Sequence, residues 1–270
     1  MSGRLAESVL LRLPVLTEHL GPVAASSKRL ASRYANTLRR GWAAGDWAEL
    51  SAAKVIYIQA PEPELPSAVD ALLAAIPRWD RKIAVLLDER LDCSVLRPLA
   101  KAGAAIASLT HAPMSPYQVV LLEGDPEAMQ LLRPMLRRSG VKTIPLQPGS
   151  KLAYSAGVAL GGVLTVAVTE MAIRAVRAAG IDPATAKRIV GRVVEVALRD
   201  TLANGRNAWL SPGAGNARDA TLAQTAALMA AESESGLFAI RTVRAAMEMY
   251  GEDSSWLAAP APAVKAHRAP

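Results

Sequence analysis

Few residues in this chain have the type and setting to do chemistry. Lys151 and Tyr154 stand at the head of a long apolar stretch. Lys151 suits a general acid or an anchor for a substrate carboxylate, and equally a solvated lysine opening a helix. Tyr154 suits a hydrogen-bond donor in a cleft, or a core residue at a domain junction. His111 follows a strand-like run in a Pro-punctuated loop, and open α/β sheets build their sites just beyond strand ends. Ser26, Ser27, Lys28 and Arg29 gather two hydroxyls and two cations, a set suited to a phosphate group, which arginine grips in bidentate fashion. Arg218 and Asp219 follow the Gly-rich loop 211–216, where Asp219 is expected to cap the next helix. The single cysteine, Cys93, excludes an internal disulfide and a Cys-based zinc cage. Its neighbours do not form the pattern that marks a nucleophilic thiol. His19, His111 and His267 lack metal-ligand spacing, so no metal site is expected.

The elements that must position these residues alternate along the first half. Arg4 to Leu20 has helical spacing, with a kink expected at Pro14. A short strand at 23–25 and a helix at 30–40 follow. Strands are expected at 54–60, 82–87, 104–109, 118–122 and 141–146, and helices at 67–76, 94–102 and 126–138, the last stopped by Gly140. Such alternation is the pattern of a mostly parallel, doubly wound α/β sheet.

After Lys151 the pattern becomes helical throughout. Leu152 to Thr169 is 18 residues without a charge or a proline. The expected reading is a buried central helix surrounded by other helices; a membrane span is the alternative, since the length sits at the lower edge for one. Gly157 and Gly161 suggest close helix packing. Asp182-Pro183 opens a second helix as an N-cap followed by Pro at the first helical position. Two more are expected at 219–231 and 235–249. The Ala/Pro-rich tail from Asp253 is expected to be disordered. The domain reading is 1–148 for the α/β part, 149–252 for the helical part and 253–270 for the tail.

The composition fits this division. Hydrophobic residues make up 51% and charged residues 20% of the chain, enough for a sizeable globular core. The net charge of +7 comes from basic residues scattered over helices, with no basic stripe interleaved with aromatics. We therefore expect no nucleic-acid partner, and a bias towards small anionic molecules. The N-terminus lacks the apolar core of a secretion signal, so a cytoplasmic protein without a membrane partner is expected.

A doubly wound domain that binds a dinucleotide opens with strand, G-x-G-x-x-G/A and helix, the pyrophosphate lying over the helix N-terminus. This chain opens Met1-Ser2-Gly3-Arg4-Leu5-Ala6. Gly3 and Ala6 have the spacing of the second Gly and the final Gly/Ala, while the first Gly and the preceding strand are missing. Gly3, Arg4, Leu5 and Ala6 are thus candidate cofactor-binding residues. At the end of the second strand, an NAD site needs an acid for the ribose hydroxyl. Here stand Ser26, Ser27 and Arg29, which favour the 2′-phosphate of NADP, with NAD the alternative.

Together these residues resemble a family. Gly3-Arg4-Leu5-Ala6, the run at 26–32, Ile58-Gln59-Ala60-Pro61-Glu62, Ser108-Leu109-Thr110-His111, Glu123-Gly124-Asp125, Lys151-Leu152-Ala153-Tyr154 and the loop before Arg218-Asp219 carry the resemblance. They look like the Rossmann-like NAD(P)-dependent reductase relatives with a C-terminal helical domain of unknown function. That group is akin to pyrroline-5-carboxylate reductase and to the hydroxyisobutyrate and 6-phosphogluconate dehydrogenases. The resemblance implies a Rossmann-like sheet, here lacking its first strand, followed by an all-helical 6-phosphogluconate dehydrogenase C-terminal-like domain. It implies an NAD(P)-dependent oxidoreductase fold with a small-molecule substrate bound between the domains and homodimerisation through the helical one. Ala60 and Pro61 match the motif that packs near the nicotinamide, and Lys151 and Tyr154 the Lys-x-x-Tyr that opens the long helix.

The chain departs from the family pattern at several polar positions. Ser155 stands where the family has His, and Gly162 or Val163 where it has Asn. His111-Ala112-Pro113 replaces His-Pro, and Ala217-Arg218-Asp219 replaces Arg-Gly-Asp. The expected catalytic residues are accordingly Lys151, Tyr154 and His111, on an NADP-preferring oxidoreductase acting on a small anionic substrate. A non-catalytic scaffold or nucleotide sensor is the alternative.

Overall fold

The computed structural model describes residues 9–112 and 119–257. By internal contacts the chain forms two compact units, residues 1–158 and 159–270. The division falls inside one long helix.

In the first unit the apolar residues alternate along each strand, and the two sets bury on opposite faces of one sheet. Strands β3 (Val55–Ile58), β4 (Ile83–Leu87), β5 (Ala105–His111), β6 (Val119–Gly124) and β7 (Lys142–Pro145) lie side by side in that order. All pairings are parallel except β5 with β6. Val85, Leu87, Ala107, Leu109, Val120 and Leu122 face α1 (Val9–Arg12) and α5 (Pro126–Arg138). Ile56, Ile58, Ala84, Leu86 and Ile106 face α3 (Leu65–Ala75) and α4 (Arg97–Lys101). Helices cover both faces, so β4 is buried at every residue, as expected of a strand inside a parallel sheet.

A separate parallel pair, β1 (Pro22–Val23) with β2 (Trp42–Ala43), carries α2 (Lys28–Leu38) between its strands. The β2 strand and the capped 3-10 turn Trp47–Ala52 after it were not foreseen from the sequence. Two residues are too few to show a periodicity. Pro14 ends α1 rather than bending it, because the chain continues as a separate 3-10 turn, Pro14–Thr17. Helix α5 spans the residues read from the sequence.

The second unit consists of helices: the later part of α6 (Lys151–Ala178), then α7 (Pro183–Asn204), α8 (Ala217–Ala231) and α9 (Ser233–Met249). Asp182 caps α7 as expected, accepting from the N–H groups of Ala184 and Thr185 at 3.0 and 3.1 Å. Asp219 does not cap α8: the N-cap is Asn216, and Asp219 sits within the first turn. There its charge still complements the helix dipole. Helices α8 and α9 meet closely at Gly236, where an added Cβ would lie 2.5 Å from the Met229 sulfur.

Three expectations are corrected here. Helix α6 is not buried by its neighbours: Val163 is 67% and Val166 70% exposed, and Leu152, Leu160 and Leu164 are exposed too. Nor do Gly157 and Gly161 mark a packed face, since nothing lies within 4 Å of where a Cβ would stand at either. By length and composition α6 remains a helix able to cross a membrane. Finally, residues 253–257 are ordered onto the helices: Ser254 and Leu257 are buried, Ser254 Oγ donates to Glu248 Oε1 at 3.0 Å, and Arg218 stacks on Trp256 at 5.1 Å. The aromatic ring supplies a contact that the Ala/Pro-rich composition does not suggest. The remainder of the tail, 258–270, lies outside the described residues.

Candidate functional site

A buried polar cluster of the first unit is built on the antiparallel seam of the sheet. Ser108 in β5 and Glu123 in β6 are cross-strand partners. Both lie within otherwise apolar strands and are buried, at 1% exposure each. Directly opposed side chains on one face reach each other, and Ser108 Oγ donates to Glu123 Oε1 at 2.8 Å. The same carboxylate accepts from the N–H of Cys93 at 2.9 Å and of Gly149 at 3.2 Å. Two residues after Gly149, α6 begins, and its first residue, Lys151, directs its amine inward to Ser108 Oγ at 3.1 Å. The chain Lys151–Ser108–Glu123 therefore ties β5, β6 and the start of α6 together.

Gly124 makes the turn out of this strand possible. Its φ of +149° and its approach to the Ile106 carbonyl, 2.4 Å from a notional Cβ, exclude any side chain there. Asp125 follows, bracketing Ile106 with a backbone N–H and a carboxylate, each at 2.9 Å.

Electrostatics in this cluster are set by burial. Lys151 is 1% exposed. Desolvation pulls its amine down from 10.5 to about 8, against the pull of Asp88, Glu123 and Asp92, which favour the charged form. Cys93 is pushed the other way, up to about 11, by burial and by the carboxylates of Glu123, Asp125 and Asp92. A thiol so held is inert, in keeping with its sequence context. Among the described residues no group of His, Cys, Asp and Glu could hold a metal ion.

The other predicted residues are scattered. Tyr154 lies one turn along α6, half-buried against Ala112, Val119 and Leu121, and burial followed by the charge of Glu89 raises its pKa. His111 ends β5, half-buried, at the end of the sheet where such folds bind ligands. Ala60 and Pro61 follow β3, with the Pro61 carbonyl accepting from the N–H groups of Glu64 and Leu65. Ser26, Ser27 and Arg29 are exposed where β1 gives way to α2. Ser27 is the N-cap of α2, accepting from Leu30 N–H at 3.3 Å. Gly3, Arg4, Leu5 and Ala6 lie outside the described residues. Sequence reading missed Ser108 and Glu123 as members of a cluster, although a carboxylate inside the run Val119–Gly124 was the available signal.

Residues 118–214 match the family model described as Domain of unknown function (DUF2520). No curated protein matches the chain by sequence. Solved structures match it along most of its length. A provisional NADP oxidoreductase of Bacteroides fragilis superposes with a TM-score of 0.69 at 10% identity, over 92% of this chain and 95% of that one. An imine reductase of Myxococcus stipitatus in complex with NADP+ gives 0.63 at 14% identity, over 95% and 96%. A pyrroline-5-carboxylate reductase of Coxiella burnetii gives 0.51 at 13% identity, over 90% and 95%. The fold is Rossmann-like with a helical C-terminal part, as in these structures. The DUF2520 match runs from the last part of this Rossmann-like sheet through α6 and α7 to the Gly-rich loop.

Proposed function

We propose that the protein is an NADP-preferring oxidoreductase acting on a small anionic substrate. The observation that carries this reading is the amino end of α2. Immediately after β1 it presents the hydroxyls of Ser26 and Ser27 and the cations of Lys28 and Arg29, all exposed, with no carboxylate among them. The helix N-terminus adds its own partial positive charge. Such a set suits a 2′-phosphate and lacks the acid that a ribose hydroxyl would require. The likeness in fold to a reductase structure holding NADP+ supports the same cofactor. NADP, once bound, supplies hydride transfer; the chain itself would supply the grip on the phosphate and a proton donor. His111 and Tyr154 are placed by the end of β5 and the first turn of α6. Burial lowers the Lys151 amine from 10.5 to about 8, which eases its release of a proton.

The test is titration of the intact chain with NADPH and NADH, read by cofactor fluorescence. Tighter binding of NADPH is expected, together with a loss of turnover in Lys151→Ala once a substrate is found. No binding of either nucleotide would overturn the reading.

A specific observation favours the second reading, a non-catalytic relative. The Lys151 amine is buried and already donates to Ser108, so in this arrangement it clamps β5 to α6 rather than facing solvent. NADPH binding without turnover, together with a Lys151→Met variant that loses stability, would favour this scaffold role. We also propose that α6 and α7 pair with a second copy of the chain in the cytoplasm. Val163 and Val166 of α6 and Val193 and Leu202 of α7 are more than half exposed, and exposed apolar residues in such number mark an interaction site. Sedimentation should give a dimer, and a monomer, or recovery in the membrane fraction, would refute it.

A further inference from the structure

A groove of about 350 Å³ lies in the first unit between α3 and the segment that leads into α4. One wall is a single stripe of α3 and of the 3-10 turn Glu62–Glu64 before it: Glu62, Leu65, Pro66, Val69 and Asp70. Spacings of three and four residues place such a set on one side of a helix. The other wall is Leu91, Val95 and Pro98. Glu62, Asp70, Val95 and Pro98 are exposed, so the groove opens to solvent.

Both walls are held from behind. Leu65 and Val69 are each 3% exposed and belong, with Leu96 and Leu99, to the core on that face of the sheet. Asp88 Oδ1 accepts from the N–H groups of Arg90 and Leu91, each at 2.7 Å. Asp92 Oδ1 accepts from Ser94 N–H at 2.8 Å and so opens the 3-10 turn Cys93–Leu96. The groove is thus formed before any ligand arrives, as small-molecule sites generally are. Its volume lies at the small end of their range, about 300–1,000 Å³.

The charge in the groove has one sign. Its lining carries two carboxylates, Glu62 and Asp70, and no cation. They stand eight residues apart, roughly 12 Å along a helix, with Leu65 and Val69 between them. The two are not equivalent. Glu62 already pairs with Arg90 at 3.5 Å. Asp70 is exposed and makes no hydrogen bond or ion pair with any described residue. An apolar trough with a free carboxylate at one end suits a ligand with an apolar body and one cationic end.

We propose that this groove binds a small organic ammonium ion, its apolar body between Val69 and Val95 and its cation beside Asp70. The inference rests on the groove alone and does not depend on the cofactor reading.

The test uses three probes with the same aromatic body: phenethylammonium, phenethyl alcohol and phenylpropanoate. Each is titrated into the full chain, and NMR reads the amides of Val69, Asp70, Leu91 and Val95. The proposal expects saturable shifts at these amides with millimolar phenethylammonium. The ammonium should bind tighter than the alcohol by about twofold to fivefold, the worth of an exposed ion pair, and the carboxylate should bind weakest. Asp70→Asn should erase the advantage of the ammonium and leave the alcohol unchanged, while Val95→Lys should abolish binding of all three. Equal affinity of the three probes overturns the proposal, as does a lack of saturation at millimolar ammonium. Shifts confined to Ser26–Arg29 or to the surroundings of Lys151 overturn it too. So do shifts at the groove amides that depend on protein concentration without a probe, which would seat a second copy there. Should Val95→Lys fail to fold, the exposed change Asp70→Asn decides alone, and a retained preference for the ammonium in that variant overturns the proposal.

Discussion

The two units use the same apolar residue types in opposite ways. In the first, Leu86, Leu109 and Leu122 are wholly enclosed between sheet and helices. In the second, Val163, Val166 and Leu202, on equally regular helices, are 67%, 70% and 79% exposed. A sheet with helices on both faces has somewhere to put every strand residue, since successive side chains point to opposite faces. A long helix that is apolar all round needs neighbours on every side, and α8 and α9 are too few to supply them. The first unit therefore carries a closed core within the chain, while much of the apolar surface of α6 and α7 stays exposed.

The strongest way to break this comparison is to cut the same methylenes from each unit. Leu86→Ala should lower unfolding free energy by about 2–5 kcal/mol in urea titrations of the dilute chain. Should it cost less than about 0.5 kcal/mol, within the ordinary surface range, the first unit is not the closed core described.

A polar cut inside the first unit comes next. Glu123→Ala would leave Ser108 O–H and the N–H groups of Cys93 and Gly149 without their acceptor. At about 1–3 kcal/mol for a buried group left unsatisfied, a total near 3 kcal/mol is expected, with Glu123→Gln milder because it keeps an acceptor oxygen. An unaffected Tm in both variants would remove the cluster from the account of stability.

The buried lysine gives the same unit a pH signature. Folded Lys151 loses its proton near about 8 and the unfolded one near 10.5. Between those values the unfolded chain holds more protons, so stability should rise with pH through this window, by at most about 3 kcal/mol for the full shift. Tyr57 works the other way from about pH 10, because burial holds its phenol protonated to about 12 in the folded state. Cys93, held protonated to about 11 by burial, works the other way already from about pH 9. The rise is therefore read between pH 8 and 9, by comparing denaturation midpoints with Lys151→Met, which should lack it. Parallel curves for the two proteins would refute the burial of the amine.

Cofactor choice is tested at the exposed edge of the first unit. Arg29→Ala should weaken NADPH by about 1.5–3 kcal/mol, the worth of a charge-assisted hydrogen bond, and leave NADH unchanged. Equal weakening of both would mean that Arg29 does not read the 2′-phosphate.

The smallest effect belongs to α6. Val166→Ala should change unfolding free energy by less than about 0.5 kcal/mol at concentrations where the chain is monomeric, and by more where it associates. A large loss in the monomer would show that α6 is covered from within the chain.

Much of the first unit was legible because local rules and the tertiary environment agree there. The apolar runs at β3 and β4 and the bounds of α5 follow from periodicity and stop signals, and the Asp182 cap in the second unit follows from capping preference. The Ser27 cap was not foreseen, and α2 starts two residues before the expected helix. The phosphate-suited residues after β1 were also legible, because a helix start and its charges are local. Ser108 and Glu123 were not joined into a cluster beforehand, because they are 15 residues apart in the chain and meet only through the antiparallel register of β5 with β6.

By itself, then, the sequence determined the alternation of strands and helices, their switch to helices alone after Lys151, and the chemistry offered at the start of α2, all properties of short segments. Only the tertiary structure decided that Lys151 turns inward to Ser108, that α6 stays uncovered, and that a cavity of about 800 Å³ lies between β1 and β3. Each of these depends on which distant segments lie beside one another. An apolar helix reads the same in sequence whether its neighbours come from its own chain or from another.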